Sequence, residues 1–308
     1  MKETYFIPCD AHEGCVWVAT QNRLYFSTTK KLDETRVGLC YLDFSDYDLA
    51  RDGNWRDRID GIESMEALTW IEDANMANSL CLTQDGLALL VAEQGSKKTR
   101  AAISRIELAD KQRTVVFDRY ADMPLNSPNK VIESQVGHLV ISDPDYGFRQ
   151  GFRPPPALAP RLYVLPKNGR PVVYRGELEM PHGLALSPDE RTLFVTDTSN
   201  DGAHDKAELN RRHRVYALDF NPATGEILGN HRYAFSTDKG VPDGSETTED
   251  SLLVGGGDGI YVADLDGQLR GKIKLDRTAV NLAVVGDHLF VTADEGVYLI
   301  LDWKQQVA

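Results

Sequence analysis

The sequence predicts an all-β fold, a six-bladed β-propeller formed by a single domain over residues 1–308. Three observations predict this fold class. A strand–turn–strand unit recurs six times, a third strand follows each copy, and no long stretch has helical periodicity. The six copies begin at Glu13, Asn78, Asn129, His182, Asp243 and Asn281, with spacings of 65, 51, 53, 61 and 38 residues. Units of this length and strand content are typical of propeller blades.

The fourth copy shows the unit most clearly. Residues 184–186 form a short apolar strand, and residues 192–197 form a second strand rich in β-formers. Residues 187–191 between them have turn chemistry, because Pro188 fixes φ and the flanking polar side chains bond to nearby backbone. The unit therefore predicts a hairpin at the start of each blade.

Third and outer strands complete the predicted blades. Third strands are expected at 38–43, 101–106, 161–165, 214–219, 259–264 and 296–301. Outer strands are expected at 114–117, 172–174, 232–235 and 269–273, and residues 53–70 have room for one helical turn. The sixth unit stops after its third strand. Residues 4–7 can supply its outer strand, which closes the ring and covers two sheet edges that are otherwise free to pair.

Composition and charge narrow the classes of partner. Apolar residues make up 42% of the chain and charged residues 26%, as in globular proteins, and the net charge is −13. This negative charge argues against nucleic acid or an anionic membrane as a partner. No apolar run reaches the ~20 residues of a membrane span. The first eight residues lack the apolar core of a signal peptide, so a cytoplasmic location is expected.

The cysteines do not predict a metal site. Cys9, Cys15, Cys40 and Cys81 have neither CxxC spacing nor a neighbouring histidine pattern. In a cytosolic chain, we interpret them as free, mostly buried thiols.

The residues that begin the six units are candidates for function, and we call them the leader residues. In a propeller, the first strand of each blade lines the central channel, so leader residues face one another across it. All six are polar and able to bind a cation or a substrate oxygen. The alternative is that they serve only in turns and in contacts with channel water.

The donor types of the leader residues indicate a divalent metal. The carboxylates of Glu13 and Asp243 and the amide oxygens of Asn78 and Asn129 suit Ca²⁺ first, or Mg²⁺. The imidazole nitrogen of His182 favours Mn²⁺, Fe²⁺ or Zn²⁺ more than an all-oxygen set does. The chain has no local zinc-binding spacing, so distant segments must assemble the site.

Two insertions do not fit the minimal unit. Residues 143–160 are rich in proline and aromatic side chains, and residues 200–213 are polar. Both follow a second strand and so reach the face that carries the leader residues. In the first insertion, a wall or lid over a substrate could be formed by Tyr146, Phe148, Arg149, Phe152 and Arg153. A rigid surface loop is the alternative for this insertion.

Several motifs resemble those of the regucalcin/gluconolactonase (sugar-lactone lactonase) family, in family order and over nearly the whole chain. The motifs are Glu13-Gly-Cys-Val-Trp17, Asn126-Ser-Pro-Asn129, Pro181-His-Gly-Leu-Ala-Leu-Ser-Pro-Asp189, Val241-Pro-Asp-Gly244 and Gly257-Asp-Gly-Ile-Tyr261. The chain departs from the family pattern at three positions. His182 stands where the family usually has Asn, Lys130 replaces Asp, and Cys15 replaces Pro.

The resemblance implies a six-bladed propeller that opens lactone rings with one divalent metal ion in its channel. Carried over by position, the metal ligands are Glu13, His182 and Asp243, with Asn129 as a ligand or a substrate contact. Asp243 is also the implied general base. The departure at His182 leaves the metal's identity open, and Lys130 either binds an acidic substrate group or points into the blade edge.

The expected function is metal-dependent hydrolysis of a sugar-type (aldono)lactone, a small-molecule substrate, by metal-activated water. The expected substrate contacts are Asn78, Lys130, Tyr146, Arg149 and Asn281. Two alternatives stay open at this point, a hydrolase of a non-sugar lactone or ester and a non-catalytic binding propeller. Serine hydrolysis is disfavoured because the chain has no Gly-x-Ser-x-Gly motif.

Overall fold

A computed structural model describes residues 3–31, 35–47, 56–174, 176, 178–199 and 213–308. Six antiparallel sheets of four strands make up most of this part of the chain. The innermost strands of the six sheets contact one another in a closed cycle, from the first sheet to the sixth and back to the first. The arrangement confirms the predicted six-bladed β-propeller.

Blades 1 to 3 place their strands in chain order from the channel outward. Blade 1 contains Glu13–Val18, Arg23–Ser27, Leu39–Asp43 and Leu68–Ile71. Blade 2 contains Ala77–Leu82, Ala88–Glu93, Ala102–Glu107 and Arg113–Phe117. Blade 3 contains Lys130–Glu133, Leu139–Asp143, Arg161–Leu165 and Val172–Val173.

Blades 4 and 5 repeat this order, and blade 6 takes its outer strand from the other end of the chain. Blade 4 contains Pro181–Leu186, Thr192–Thr198, His213–Asn221 and Glu226–Ser236. Blade 5 contains Ser245–Thr247, Ser251–Gly256, Gly259–Asp264 and Leu269–Lys274. Blade 6 contains Asn281–Val285, His288–Thr292, Asp294–Ile300 and Thr4–Ala11.

The N-terminal strand occupies the outer position of blade 6. It pairs antiparallel with the third strand of that blade, with Thr4 opposite Ile300 and Pro8 opposite Gly296. The backbone groups at this edge of blade 6 are therefore paired within the chain instead of being exposed.

Helical segments are short. They are the 3₁₀ segments Arg56–Ser64 and Trp303–Gln306 and the single α-helical turn Tyr146–Arg149. A small ladder of Arg119–Tyr120 with Met123–Pro124 connects blades 2 and 3. No helix in the described ranges is long and apolar enough to cross a membrane. The polar insertion expected at 200–213 lies outside the described residues, apart from the strand residue at its end.

The core lies between neighbouring blades. Each second strand packs on both of its faces, so its residues form a continuous buried run, and Ala88–Glu93 is buried throughout. Blades 6 and 1 meet through aromatic rings, with Phe290 5.7 Å from Trp17 and 5.0 Å from Phe44 between ring centroids. Packing of this kind holds the inner strands, and hence the leader residues, in fixed positions.

Candidate metal centre

Three leader residues meet at one end of the channel. Glu13 begins the inner strand of blade 1, His182 is the second residue of the inner strand of blade 4, and Asp243 lies just before the inner strand of blade 5. The strand pairing is shifted between Glu13 and Val16 in blade 1, and between Pro181 and Leu184, a stretch that includes His182, in blade 4. A bulge bends the strand and re-aims the side chain, which here turns toward the channel.

A glycine follows each of these three residues, and two of the glycines are required by the local geometry. Gly14 has φ +68, a conformation that favours glycine. A Cβ atom on Gly183 would lie 2.4 Å from the carbonyl oxygen of Asp243. The absence of a side chain at position 183 therefore lets blades 4 and 5 approach closely enough to bring His182 and Asp243 together.

Hydroxyl groups fix the leader residues to neighbouring blades. In three places, a hydroxyl near the end of a second strand donates to the backbone carbonyl oxygen of the leader residue in the next blade. The bonds run from Ser27 Oγ to Asn78 O (2.7 Å), from Ser142 Oγ to His182 O (2.6 Å) and from Thr196 Oγ1 to Asp243 O (2.8 Å). These bonds lock the spacing between inner strands. We did not predict them from the sequence, although a Ser or Thr recurs at this point of the second strand.

The three side chains are close enough to share one ion. One ligand atom from each of Glu13, His182 and Asp243 lies within 4.8 Å of the other two. Nδ1 of His182 is 3.3 Å from Oδ1 of Asp243, and Nε2 is 3.7 Å from Oε1 of Glu13. The imidazole thus lies between two carboxylates contributed by different blades.

The protonation states of the group suit metal binding. Burial lowers the pKa of His182 to about 4, against the opposing attraction of Glu13, so the ring is neutral near pH 7 and its lone pair is free. Burial alone would raise the pKa of Glu13. The pKa of Glu13 is nevertheless lowered, because other contributions outweigh burial. They are attraction to His182 and His12, a hydrogen bond from Asn281 and the charge of Lys130. An anionic carboxylate and a neutral imidazole are the forms that bind metals.

The buried polar atoms at this end of the channel fit a divalent cation. Nδ1 of His182 and Oδ1 of Asn78 are buried, and neither makes a hydrogen bond within the described ranges. Buried polar atoms are normally paired, so an unpaired donor or acceptor indicates a missing ligand. Two carboxylates and one imidazole match the ligand preferences of Mn²⁺, Fe²⁺ and Zn²⁺ and leave Ca²⁺ and Mg²⁺ open.

Asn129 and Asn78 lie side by side at the leader positions of blades 3 and 2. The backbone carbonyl oxygen of Asn129 accepts hydrogen bonds from Ser79 N at 3.2 Å and from Asn78 Nδ2 at 3.3 Å. Both asparagines are buried. Their predicted roles as metal ligand and substrate contact remain predictions.

Asn281 holds Glu13 in place. Its Nδ2 donates to Oε2 of Glu13 at 2.7 Å. The backbone hydrogen bonds of blade 6 place Val280 at the position that Asp243 occupies in blade 5, so Asn281 stands one residue beyond the leader position. The predicted substrate contact at Asn281 thus lies beside a candidate ligand, and its amide orients that ligand.

The proline-rich insertion covers part of the site. Tyr146 is buried, packs edge-on against the ring of His182 at 5.6 Å, and forms a short hydrogen bond with the hydroxyl of Thr198. Arg149 lies toward the surface and pairs with Asp145 at 2.7 Å. Arg153 is buried and donates to four backbone carbonyl groups, among them Asn126 O at 2.8 Å. Tyr146 therefore forms a wall of the site, and Arg153 anchors the insertion.

Two buried aspartates that the sequence analysis did not single out support the site from behind. Asp143 accepts backbone N–H bonds from Asn126 and Ser127, both at 2.9 Å. Asp197 accepts them from Glu179 and Met180 at 2.9 and 3.0 Å. These bonds hold the segments that lead into the leader residues of blades 3 and 4. The only sequence signal is an Asp at the end of a second strand, which also occurs in ordinary turns.

Known proteins similar to this chain include a gluconolactonase and a lactonohydrolase. The chain matches the family model described as the SMP-30/Gluconolactonase/LRE-like region over residues 11–295. A gluconolactonase of Zymomonas mobilis subsp. mobilis is 31% identical over 211 residues, which cover 64% of this chain and 54% of that protein. Lactonohydrolase oryL of Aspergillus oryzae is 25% identical over 309 residues, which cover 93% of this chain and 66% of that protein. The chain thus spans between half and two thirds of the length of these two relatives.

A solved structure supports the same assignment. A gluconolactonase from Xanthomonas campestris superimposes with a TM-score of 0.74 at 25% sequence identity, covering 96% of this chain and 87% of its own. Since the family model spans nearly the whole propeller, including every leader residue, the chain belongs to the SMP-30/Gluconolactonase/LRE-like family.

Proposed function

We propose that this protein hydrolyses a lactone of the sugar-type (aldono)lactone class with one divalent metal ion held by Glu13, Asn129, His182 and Asp243. The observation that carries the proposal is the convergence of two carboxylates and a neutral imidazole from three blades within 4.8 Å. The names of the curated relatives, a gluconolactonase and a lactonohydrolase, support a lactone as substrate.

A divalent cation at this place would polarise the lactone carbonyl and make an adjacent water more acidic. The side chain of Asp243 is 15% exposed and that of Glu13 only 3%, so Asp243 is the carboxylate that a substrate and a water can reach. Asp243 therefore acts as the general base and takes a proton from the attacking water on a carboxylate oxygen. Glu13, oriented by Asn281, acts only as a ligand.

The remaining steps follow from the same groups. Hydroxide adds to the carbonyl carbon, and the ring C–O bond of the tetrahedral intermediate breaks. The proton held by Asp243 goes to the ring oxygen as it leaves, so the product is a hydroxy acid. Tyr146 closes one side of the site beside His182 and restricts access of bulk water.

Metal-reconstituted hydrolysis tests the proposal. The full chain is stripped with a chelator, loaded separately with Ca²⁺, Mg²⁺, Mn²⁺, Fe²⁺ or Zn²⁺, and assayed by acid release from a panel of aldonolactones. We expect Asp243→Asn to lower kcat/KM by about 10²–10⁴-fold, as for loss of a general base. Asp266→Asn, at an exposed position of the same blade, is the matched control. Hydrolysis that survives both chelation and Asp243→Asn would overturn the mechanism.

A further inference from the structure

A cavity lies in the channel beside the candidate metal centre. It has a volume of about 680 Å³ and is lined by all six inner strands, with one residue from each blade given by Cys15, Cys81, Lys130, Leu184, Glu246 and Ala283. Its lining continues to Gln135, Pro188 and Glu190 in turns at the far ends of the strands. The cavity therefore extends from the neighbourhood of the leader residues toward the opposite face.

Lys130 is an unusual residue in this cavity. It follows the leader residue Asn129, its side chain is buried, and it lines the channel instead of the blade edge. Its ammonium group makes no hydrogen bond and no ion pair within 4 Å to any residue in the described part of the chain. Buried lysines are normally paired, because desolvating an isolated charge is costly. The charge of Lys130 must therefore be balanced over a longer distance.

The groups that balance it include the metal centre. Lys130 lies close enough to contribute to the pKa shifts of Glu13 and His182 in the metal centre and of Cys15, Cys81 and Glu246 in the cavity, although burial is the larger cause in each. A position beside the leader residue and inside the same narrow channel explains this influence. Lys130 is thus a buried positive charge in the same channel as the carboxylates that would hold a dication.

We propose that Lys130 is a built-in counter-charge that weakens the cation affinity of the Glu13, His182 and Asp243 site and stabilises the site when it holds no metal. The proposal rests on the metal site proposed above. Without metal, Lys130 offsets part of the repulsion between Glu13 and Asp243. With a dication present, the same charge repels the metal, and burial of the Lys130 side chain limits the screening of this repulsion.

Calorimetric titration of the metal-free full chain with MnCl₂ or CaCl₂ at pH 8 tests the proposal. We expect Lys130→Met to bind the metal at least about tenfold more tightly than the parent. Lys130→Arg keeps the charge and should keep the parent affinity. Lys274→Met removes a lysine from an exposed end of the outer strand of blade 5, and we expect no change in affinity.

Thermal unfolding provides a second test in case Lys130→Met folds poorly. Metal-free Lys130→Met should have a lower Tm than the parent, and a saturating metal concentration should raise its Tm by more than it raises the parent's. An equal or weaker affinity together with an equal Tm rise would overturn the role of Lys130. If the parent chain binds neither metal, the proposed metal site itself is wrong. If Lys130→Met only raises KM for an acidic lactone, Lys130 is a substrate contact and not a counter-charge.

Discussion

Two pairs of acidic residues lie at the leader end of the propeller, and they have different hydrogen-bond partners. Asp143 and Asp197 end second strands, and each accepts two backbone N–H bonds at about 2.9–3.0 Å. Glu13 and Asp243 face the channel, where they lie 3.7 and 3.3 Å from the ring nitrogens of His182. A carboxylate saturated by backbone donors supports the fold, whereas one directed at another ligand-type side chain is available for chemistry.

The largest expected effect is a loss of metal affinity when a carboxylate of the channel-facing pair is replaced. Glu13→Gln removes a candidate ligand charge while its new side-chain oxygen can still accept from Asn281. We expect metal affinity to fall by about hundredfold or more, with metal-free stability changed by no more than about 1 kcal/mol. Calorimetry and urea unfolding measure the two quantities. Glu246→Gln, a channel carboxylate outside the candidate ligand set, is the matched control, and equal losses in both variants would contradict the comparison.

For Asp143 and Asp197, the pair bonded to the backbone, we expect substitution to lower the stability of the metal-free protein. Asp143→Ala leaves the buried N–H groups of Asn126 and Ser127 without an acceptor, and each unsatisfied group costs about 1–3 kcal/mol. We expect a loss of about 2–4 kcal/mol in the free energy of unfolding, measured with urea in the presence of a chelator. Asp266→Ala at an exposed site should cost no more than about 0.5 kcal/mol. A loss below about 1 kcal/mol for Asp143→Ala would show that these bonds are not structural.

Much of the fold could be predicted from the sequence, because each blade repeats the same short-range pattern. The outer strand of blade 1, Leu68–Ile71, was missed since 24 residues separate it from the third strand, which ends at Asp43. The missing fourth strand of blade 6 is enough to predict the place of the N-terminal strand, and the observed pairing with Asp294–Ile300 matches that expectation. Local patterns therefore define hairpins well, whereas strands reached through long connections need the packed structure.

The candidate site could be predicted only in part. Repeat positions selected Glu13, His182 and Asp243, which the structure brings together. The direction of Lys130 could not be predicted, because the orientation of a side chain after the leader depends on close packing between blades. The roles of Asp143 and Asp197 could not be predicted either, because the backbone N–H groups that donate to them belong to loops that fold back over the strand ends.

A smaller effect concerns which metal ion the site formed by Glu13, His182 and Asp243 prefers. His182 contributes the only imidazole nitrogen of the three-residue group. Replacing it with an amide in His182→Asn gives an all-oxygen set, which should shift preference toward Ca²⁺ by about tenfold relative to Mn²⁺ or Zn²⁺. Competitive calorimetry with pairs of metals measures the ratio. A ratio equal to that of the parent would show that His182 does not bind the metal directly.

The smallest expected effect is the net pH dependence of the parent's metal-free stability, because the contributions of the two regions oppose each other. Burial lowers the pKa of His182 to about 4, below its unfolded value near 6.5, so the unfolded chain gains a proton first and stability falls as pH drops from 6.5 to 4. Burial raises the pKa of Asp143 to about 7, above its unfolded value near 3.8, so the folded chain gains a proton first and stability rises as pH drops from 7 to 4. Between pH 7 and 5, each contribution amounts to about 2 kcal/mol and the two nearly cancel.

His182→Asn should therefore gain stability relative to the parent on acidification, and Asp143→Asn should lose it. Urea unfolding at pH 7, 6 and 5 in a chelator measures both slopes, and three parallel curves would contradict the assignment of opposite roles.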